Sequence, residues 1–216
     1  VKRVAAPLLA PGYLLLRDAV STPRSYLSDA ALGLSEAAPR ALPQDFFLAV
    51  LSPVVDGGLL VKALLILGLW FAGWGAARLA AAVLDASLGG QLVAVTIAVW
   101  NPYVAERLLQ GHWSLLVGYG CLPWVALSSD LCTIFRGERE QSCTNRWSLV
   151  FWIALAGLTP TGLLLALVVA LVCSRTWRGV WVTLAAAVGA ALPWLVATLV
   201  ARAVLPVASA GVPAFA

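Results

Sequence analysis

The side chains with useful chemistry are concentrated in one stretch, WNPYVAERLLQGHW, at positions 100–113. It holds Asn101, Glu106, Arg107 and the single histidine of the chain, His112. Apolar segments enclose this stretch on both sides. A charged side chain at mid-membrane depth costs about 2.5 to 3.5 kcal/mol on insertion scales, so such residues lie at the water interface or face a site. We therefore expect these polar residues to line a binding cavity at an aqueous face, although a simple interfacial hydrogen-bonding role for His112 is an equal alternative.

A second candidate for chemistry is Asp18, which closely follows the first apolar run. Apolar neighbours would remove water from this carboxylate and make it a useful general base. The alternative is an interfacial carboxylate that pairs with Arg17 or caps a turn. Arg24 and Arg40 lie in the same polar interval and are candidate anion-binding residues.

The composition decides the broad class of protein. The 216 residues are 62% hydrophobic and 11% charged, with a mean hydropathy of +0.93, whereas soluble domains carry roughly 25% charged residues. This predicts an integral membrane protein that crosses the membrane several times. The net charge of +4 comes from dispersed basic residues, which predicts contacts with anionic lipids and no nucleic-acid partner.

The sequence contains no motif typical of a soluble enzyme. It has no GxSxG, P-loop, GxGxxG or HExxH pattern. One histidine cannot support a multi-histidine metal site, and four cysteines without CxxC spacing are predicted to be free thiols. No cofactor is predicted, and metal dependence stays open.

The N-terminal quarter of the sequence predicts one membrane helix followed by one outer loop. Lys2 and Arg3 precede an apolar run at 4–16, which predicts a shortened first membrane helix with a cytoplasmic N-terminus in the plasma membrane. Residues 17–58 form the first extracytoplasmic loop. Within it, Pro43 followed by Asp45 predicts a short amphipathic helix on the membrane surface, and Pro23 predicts another helix start.

The following segments predict a helical bundle. Residues 59–84 are the clearest span, with Gly68, Gly73 and Gly75 allowing close approach of a neighbour. Residues 88–100 form a short apolar segment, Asn101 and Pro102 cap a helix reaching position 110, and 114–127 return across the membrane. Residues 128–147 form a cytoplasmic loop.

The motif LTPTG at 158–162 interrupts the apolar stretch 148–173. One interpretation is a single kinked helix, and the other is a re-entrant hairpin that turns at this motif. The hairpin places eight basic residues inside and six outside, whereas the kinked helix gives seven and seven, so the positive-inside rule favours the hairpin. With a last span at 180–200, we predict an all-α transmembrane bundle of five to seven membrane segments in a single domain, 1–216, that is the N-terminal portion of a longer protein.

Several motifs together resemble a known group of proteins. They are GYLLLRDAVSTPRS (12–25), APRALPQD (38–45), WNPYVAERLLQGHW (100–113), GYGCLPW (118–124), LTPTG (158–162) and the final GVPAFA. They resemble actinobacterial, especially mycobacterial, integral membrane proteins that are similar to GT-C-type glycosyltransferases. The resemblance implies a polyprenyl-phosphate sugar as donor and a role in assembling cell-envelope glycans or glycolipids. By position it implies Asp18 as catalytic base, with Arg107 and His112 holding the lipid phosphate.

Two other functions remain open from the sequence. The polar residues and broken helices would also suit a lipid or solute transporter, and a truncated chain would suit a non-catalytic remnant of an enzyme. The catalytic candidate is Asp18. The candidate substrate-binding residues are Arg17, Arg24, Arg40, Asp45, Asn101, Glu106, Arg107, His112, Trp113, Thr159 and Thr161. The predicted partners are membrane lipids and the sugar donor.

Overall fold

A computed structural model describes residues 23–28, 31–32, 42–129 and 146–204, the last four by their backbone alone. Within these ranges most residues are helical and none is in a strand, which confirms the all-α prediction. The helices are α1 (Gln44–Leu51), α2 (Gly57–Leu84), α3 (Leu88–Val99), α4 (Pro102–Gln110), α5 (Trp113–Ser128), α6 (Arg146–Ala156), α7 (Pro160–Cys173) and α8 (Trp177–Val204).

Three helical segments of the described residues are long and apolar enough to cross a membrane. They are Gly57–Leu84, Leu88–Gln110 and Trp177–Val200, the second of which joins α3 and α4. The helices α5, α6 and α7 are apolar but shorter. Whether these short helices are membrane segments, as the predicted total of five to seven requires, stays a prediction.

The helix starts show how far the predicted loop boundaries hold. The side chain of Asp56 accepts hydrogen bonds from the N–H groups of Gly58 and Leu59 at 2.9 and 3.1 Å. This cap begins α2 at Gly57, two residues before the predicted start of the span at 59. Similarly, α5 includes Ser128 and α6 begins at Arg146, so the predicted loop 128–147 is slightly shorter.

The interval before α2 contains the predicted short helix, α1, which begins directly after Pro43. The predicted helix start at Pro23 is wrong, because residues 23–28 are not helical. Ser52 explains this: its hydroxyl donates to the carbonyl of Ser25 at 2.8 Å and accepts from the N–H of Ser25 at 2.9 Å. The carbonyl of Pro23 also accepts from the N–H of Gly57 at 2.9 Å. These bonds tie the segment to the start of α2.

Helices α2 and α5 pack together at glycines, as the sequence predicts. A Cβ atom added at Gly120 would lie 2.3 Å from the carbonyl oxygen of Gly68, and one at Gly75 would lie 2.7 Å from the indole nitrogen of Trp124. Gly68 also meets Val117. Because residue numbers rise together along both helices, α2 and α5 run parallel.

Helix α5 is the centre of the second half of the fold. The hydroxyls of Ser128 and Ser148 lie 2.9 Å apart, and Gly118 faces Ala156 and Gly162, so α6 runs antiparallel to α5. Helix α7 packs along α5 as extensively as α6 does. The chain must therefore fold back between Ala156 and Pro160, which is the path of the predicted hairpin and not that of one kinked helix.

This path gathers four arginines of the described residues at one end of the bundle. The C-terminal part of α2, the start of α6 and the start of α8 lie at one end, which we call the basic end. It carries Arg78, Arg146, Arg175 and Arg178. Asp85 also lies at the basic end, where it ends α2. The opposite end carries both signs of charge, with Asp45, Asp56 and Glu106 beside Arg24, Lys62, Arg107 and Arg202. The four arginines of the basic end were assigned to the cytoplasmic side by the hairpin interpretation.

Candidate functional site

A cavity of about 300 Å³ opens at the end of the bundle opposite the basic end. We call it the pocket, and its surroundings the pocket end. Three separate parts of the chain line it, each at the N-terminus of a helix. The lining residues are Gln44 of α1, Gly111, His112, Trp113, Ser114 and Leu115 at the start of α5, and Thr159, Pro160 and Thr161 at the start of α7.

The turn before α5 presents one wall of the pocket. Gly111 ends α4 with φ 77°, a left-handed conformation that suits glycine. Trp113 is only 5% exposed and packs in a core with Leu116 and Val117. The hydroxyl of Ser114 donates to the side-chain oxygen of Gln44. This bond fixes α1 against α5 and closes one side of the cavity.

The turn before α7 presents the facing wall. The side chain of Thr159 accepts a hydrogen bond from the N–H of Gly162 at 3.0 Å and caps the helix. Pro160 fits the first helical position, where no N–H is needed. A Cβ at Gly118 would lie 3.1 Å from the Cα of Gly162. This close approach of α5 and α7 is what brings Thr161 opposite His112.

The convergence of three helix N-termini gives the pocket a positive electrostatic character. The first N–H groups of a helix have no partner within it, and the helix dipole is positive there. Neither Pro43 before α1 nor His112 before α5 supplies a side-chain cap. In α7, Thr159 satisfies only the N–H of Gly162. An anion such as a phosphate group is therefore the ligand type that this geometry favours.

A hydrogen-bond network sets the chemistry of His112. The Nη1 atom of Arg107 lies 3.1 Å from Nδ1 of His112 and donates to Oε1 of Gln110 at 2.7 Å. Arginine stays protonated and can only donate, so Nδ1 of His112 accepts. A neutral His112 ring then carries its proton on Nε2, where it serves as a hydrogen-bond donor.

Arg107 does not line the pocket but acts through His112. Its Nη2 atom lies 3.6 Å from Oε1 of Glu106, and the same oxygen accepts from Nε2 of Gln110 at 3.0 Å. The guanidinium also lies 5.3 Å from the ring centre of Tyr103. Of its nitrogens, Nε is buried without a hydrogen-bond partner. The network holds Arg107 behind the histidine and leaves Glu106 more than half exposed.

The structure separates the remaining predicted site residues. Asn101 is used structurally: its oxygen caps α4 by accepting from Val104, and its amide group donates to carbonyls of α3. Asp45 lies in the first turn of α1 and outside the pocket lining, and burial raises the pKa of its carboxyl above 3.8. Arg24 is exposed on the segment tied to Ser52. Arg17, Asp18 and Arg40 lie outside the described residues.

Two pocket residues, Gln44 and Ser114, were not among the sequence candidates. Both side chains are neutral, so neither has the charge or the catalytic group by which candidate residues are recognised in a sequence. Their positions carried a signal, since Gln44 directly follows Pro43 at a predicted helix start and Ser114 is two residues after His112. Among the residues that the structure describes, no group of three or more His, Cys, Asp or Glu side chains could hold a metal ion.

No protein-family model, curated protein or solved structure matches the chain. A function for this protein must therefore be argued from its own residues.

Proposed function

We propose that this protein is a multi-pass plasma-membrane protein of the GT-C glycosyltransferase type, whose pocket binds the head group of a polyprenyl-phosphate sugar during cell-envelope assembly. The observation that carries the proposal is the convergence of Gln44, His112, Ser114 and Thr161 in one cavity at three helix N-termini. These neutral donors and acceptors suit sugar hydroxyls, and the helix N-termini suit the phosphate.

The depth of the pocket supports a substrate carried by a lipid. At 1.5 Å per residue, α5 and α7 are about 24 and 21 Å long, shorter than the roughly 30 Å hydrocarbon core. Helix α2 has 28 residues, and its residue Gly68 lies beside Val117. The start of α2 therefore extends about 10 Å beyond the start of α5. With α2 spanning the bilayer, the pocket would be recessed to the level of the lipid head groups.

Helix α1 supports a membrane-surface position beside the pocket. It buries Ala49 and exposes Phe46 and Val50, which are four residues apart and lie on one face. An exposed apolar face on a short helix is typical of contact with the lipid interface.

The proposed reaction uses Asp18 as the base that takes the proton from the acceptor hydroxyl. The acceptor oxygen forms the new glycosidic bond while the bond between the sugar and the lipid phosphate breaks. The phosphate leaves as an anion, which the helix N-termini and the Nε2–H of His112 stabilise. Arg107 holds His112 in the donor orientation.

A transporter is less well supported by the residues beneath the pocket. There the core contains Cys121, Ile153, Ala156 and Ala166, all fully buried and without charge. A polar substrate crossing the membrane would need polar groups along this path. The apolar packing favours binding at one face.

The proposal is tested by measuring sugar transfer and donor binding with radiolabelled polyprenyl-phosphate sugars in membranes containing the protein. Thr161→Val removes a pocket hydroxyl with little change of volume, and Ser174→Ala removes a hydroxyl at the basic end as a matched control. We expect binding to weaken several-fold in the first variant alone. Equal binding by both variants would contradict the assignment of the pocket. If Asp18→Asn binds the donor normally and still transfers sugar at the full rate, Asp18 is not the base.

A further inference from the structure

The basic end of the bundle combines arginine and tryptophan side chains in a pattern that the pocket does not explain. Arg146 is the first described residue of α6, and Arg178 lies in the first turn of α8. Both are exposed. Three tryptophans beside them are also exposed, Trp147 by 85%, Trp177 by 72% and Trp181 by 56%.

The two arginines lie at the same level on neighbouring helices. Helix α7 returns the chain to the basic end, and only residues 174–176 separate it from α8, so α6 and α8 both start there. A Cβ at Gly157 would lie 2.9 Å from the Cβ of Ala190. Arg146 precedes Gly157 by eleven residues, and Arg178 precedes Ala190 by twelve. The two arginines are therefore at nearly equal distances along their helices from this contact. The two positive charges therefore flank one surface.

The acidic residues nearest to this surface are Asp85, which ends α2, and Asp130, Glu138 and Glu140 in the interval before Arg146, which lies outside the described residues. Residues 146–216 contain no Asp or Glu. Moreover, a cation in the first turn of a helix opposes the helix dipole, at a typical cost of about 0.3 to 1 kcal/mol. Arg178 occupies such a position in α8. An anion bound between Arg146 and Arg178 would interact favourably with both guanidinium groups and with the N-terminus of α8.

We propose that Arg146 and Arg178, with the adjacent tryptophans, form a binding surface for the head groups of anionic phospholipids. Tryptophan rings settle at the level of lipid head groups, and basic residues near the cytoplasmic face of a membrane attract anionic lipids. The occupant is therefore a phosphodiester head group of the same membrane that surrounds the bundle. This inference rests on the proposed membrane insertion but not on glycosyl transfer.

The test measures the thermal stability of the purified chain in nanodiscs of phosphatidylcholine with and without phosphatidylglycerol. The variants are Arg146→Gln/Arg178→Gln and, as a control with a charge removed at the pocket end, Arg24→Gln. We expect phosphatidylglycerol to raise the Tm of the wild type and of Arg24→Gln. The double variant should lose at least half of that rise, and salt should reduce the rise by screening.

Two outcomes would overturn the inference. One is no effect of phosphatidylglycerol on the wild type. The other is an equal effect on all three proteins, which would show that Arg146 and Arg178 do not bind the lipid. The Tm of the double variant in phosphatidylcholine alone shows whether it folds, and single substitutions replace it if it does not. His112→Asn, which changes the pocket, should keep the full response to phosphatidylglycerol. This result separates a failure of the pocket assignment from a failure of the lipid-binding surface.

Discussion

Arg107 and His112 are in contact across the end of a helix, with 3.1 Å between Nη1 and Nδ1. Arg107 belongs to the last turn of α4, while His112 precedes α5. The left-handed Gly111 between them reverses the chain so that the two side chains meet. The permanent charge of the arginine then decides which nitrogen of the imidazole accepts, and so which one donates.

The first prediction concerns this contact. Hydrogen bonds to charged groups contribute about 1.5 to 3 kcal/mol, so Arg107→Gln should weaken binding of a polyprenyl-phosphate sugar by about tenfold or more. His112→Ala should have a similar effect. Because Arg107 acts through His112, the double variant should bind little worse than either single one. Dissociation constants for the four proteins form the double-mutant cycle, and purely additive losses would show that Arg107 contacts the ligand independently.

The second prediction concerns Asp45 and the dependence of stability on pH. Burial raises the pKa of this carboxyl above 3.8, so the folded state holds the proton more tightly than the unfolded state. The ionised group therefore opposes folding at neutral pH, and this penalty fades as pH falls through the raised pKa toward 3.8. Asp45→Asn should raise the Tm at pH 7, with a gain that shrinks in acid. A gain that does not vary with pH would point to side-chain shape instead of charge.

Much of the fold could be predicted from local sequence signals. The cap formed by Asn101 and Pro102, the glycines of α2 and the break at LTPTG each act over a few residues, and each appears where the sequence places it. The helix start predicted at Pro23 is wrong for a reason that no local pattern shows. Ser52 bonds the backbone of Ser25 from 27 residues away, and that bond holds the segment extended.

The pocket could be predicted only in part. Its histidine and threonines were singled out because polar groups are costly in an apolar chain. That Thr161 would lie opposite His112 depends on α7 folding back along α5, which requires the approach of Gly118 and Gly162. Gln44 joins them only through its bond to Ser114, 70 residues away. Sequence spacing contains no information about such distant pairs.

The third prediction tests the packing of α2 on α5. At Gly120 a Cβ atom would lie 2.3 Å from the carbonyl oxygen of Gly68, which belongs to backbone and cannot move aside alone. Gly120→Ala should destabilise the fold by about 1 to 3 kcal/mol, as overpacking of a core does. Gly189→Ala is the matched control, because nothing lies within 4 Å of its added Cβ. It should be neutral or stabilising, since alanine favours a helix interior. Equal thermal stability of the two variants would contradict the close approach.

The fourth prediction concerns the two ends of the bundle. Single cysteines at Thr161 and Thr176, in a background lacking the native four, should label from opposite sides of intact cells. Thr161 is exposed at the pocket end, and Thr176 is exposed at the basic end. The hairpin path gives that end eight basic residues and the other end six, so the positive-inside rule favours a cytoplasmic position for the end that holds Thr176. Thr161 should therefore react with an impermeant reagent, whereas Thr176 should react only after permeabilisation. Labelling of both cysteines from outside would place the arginines of the basic end outside the cell. The positive-inside argument that the pocket faces an extracytoplasmic donor would then fail.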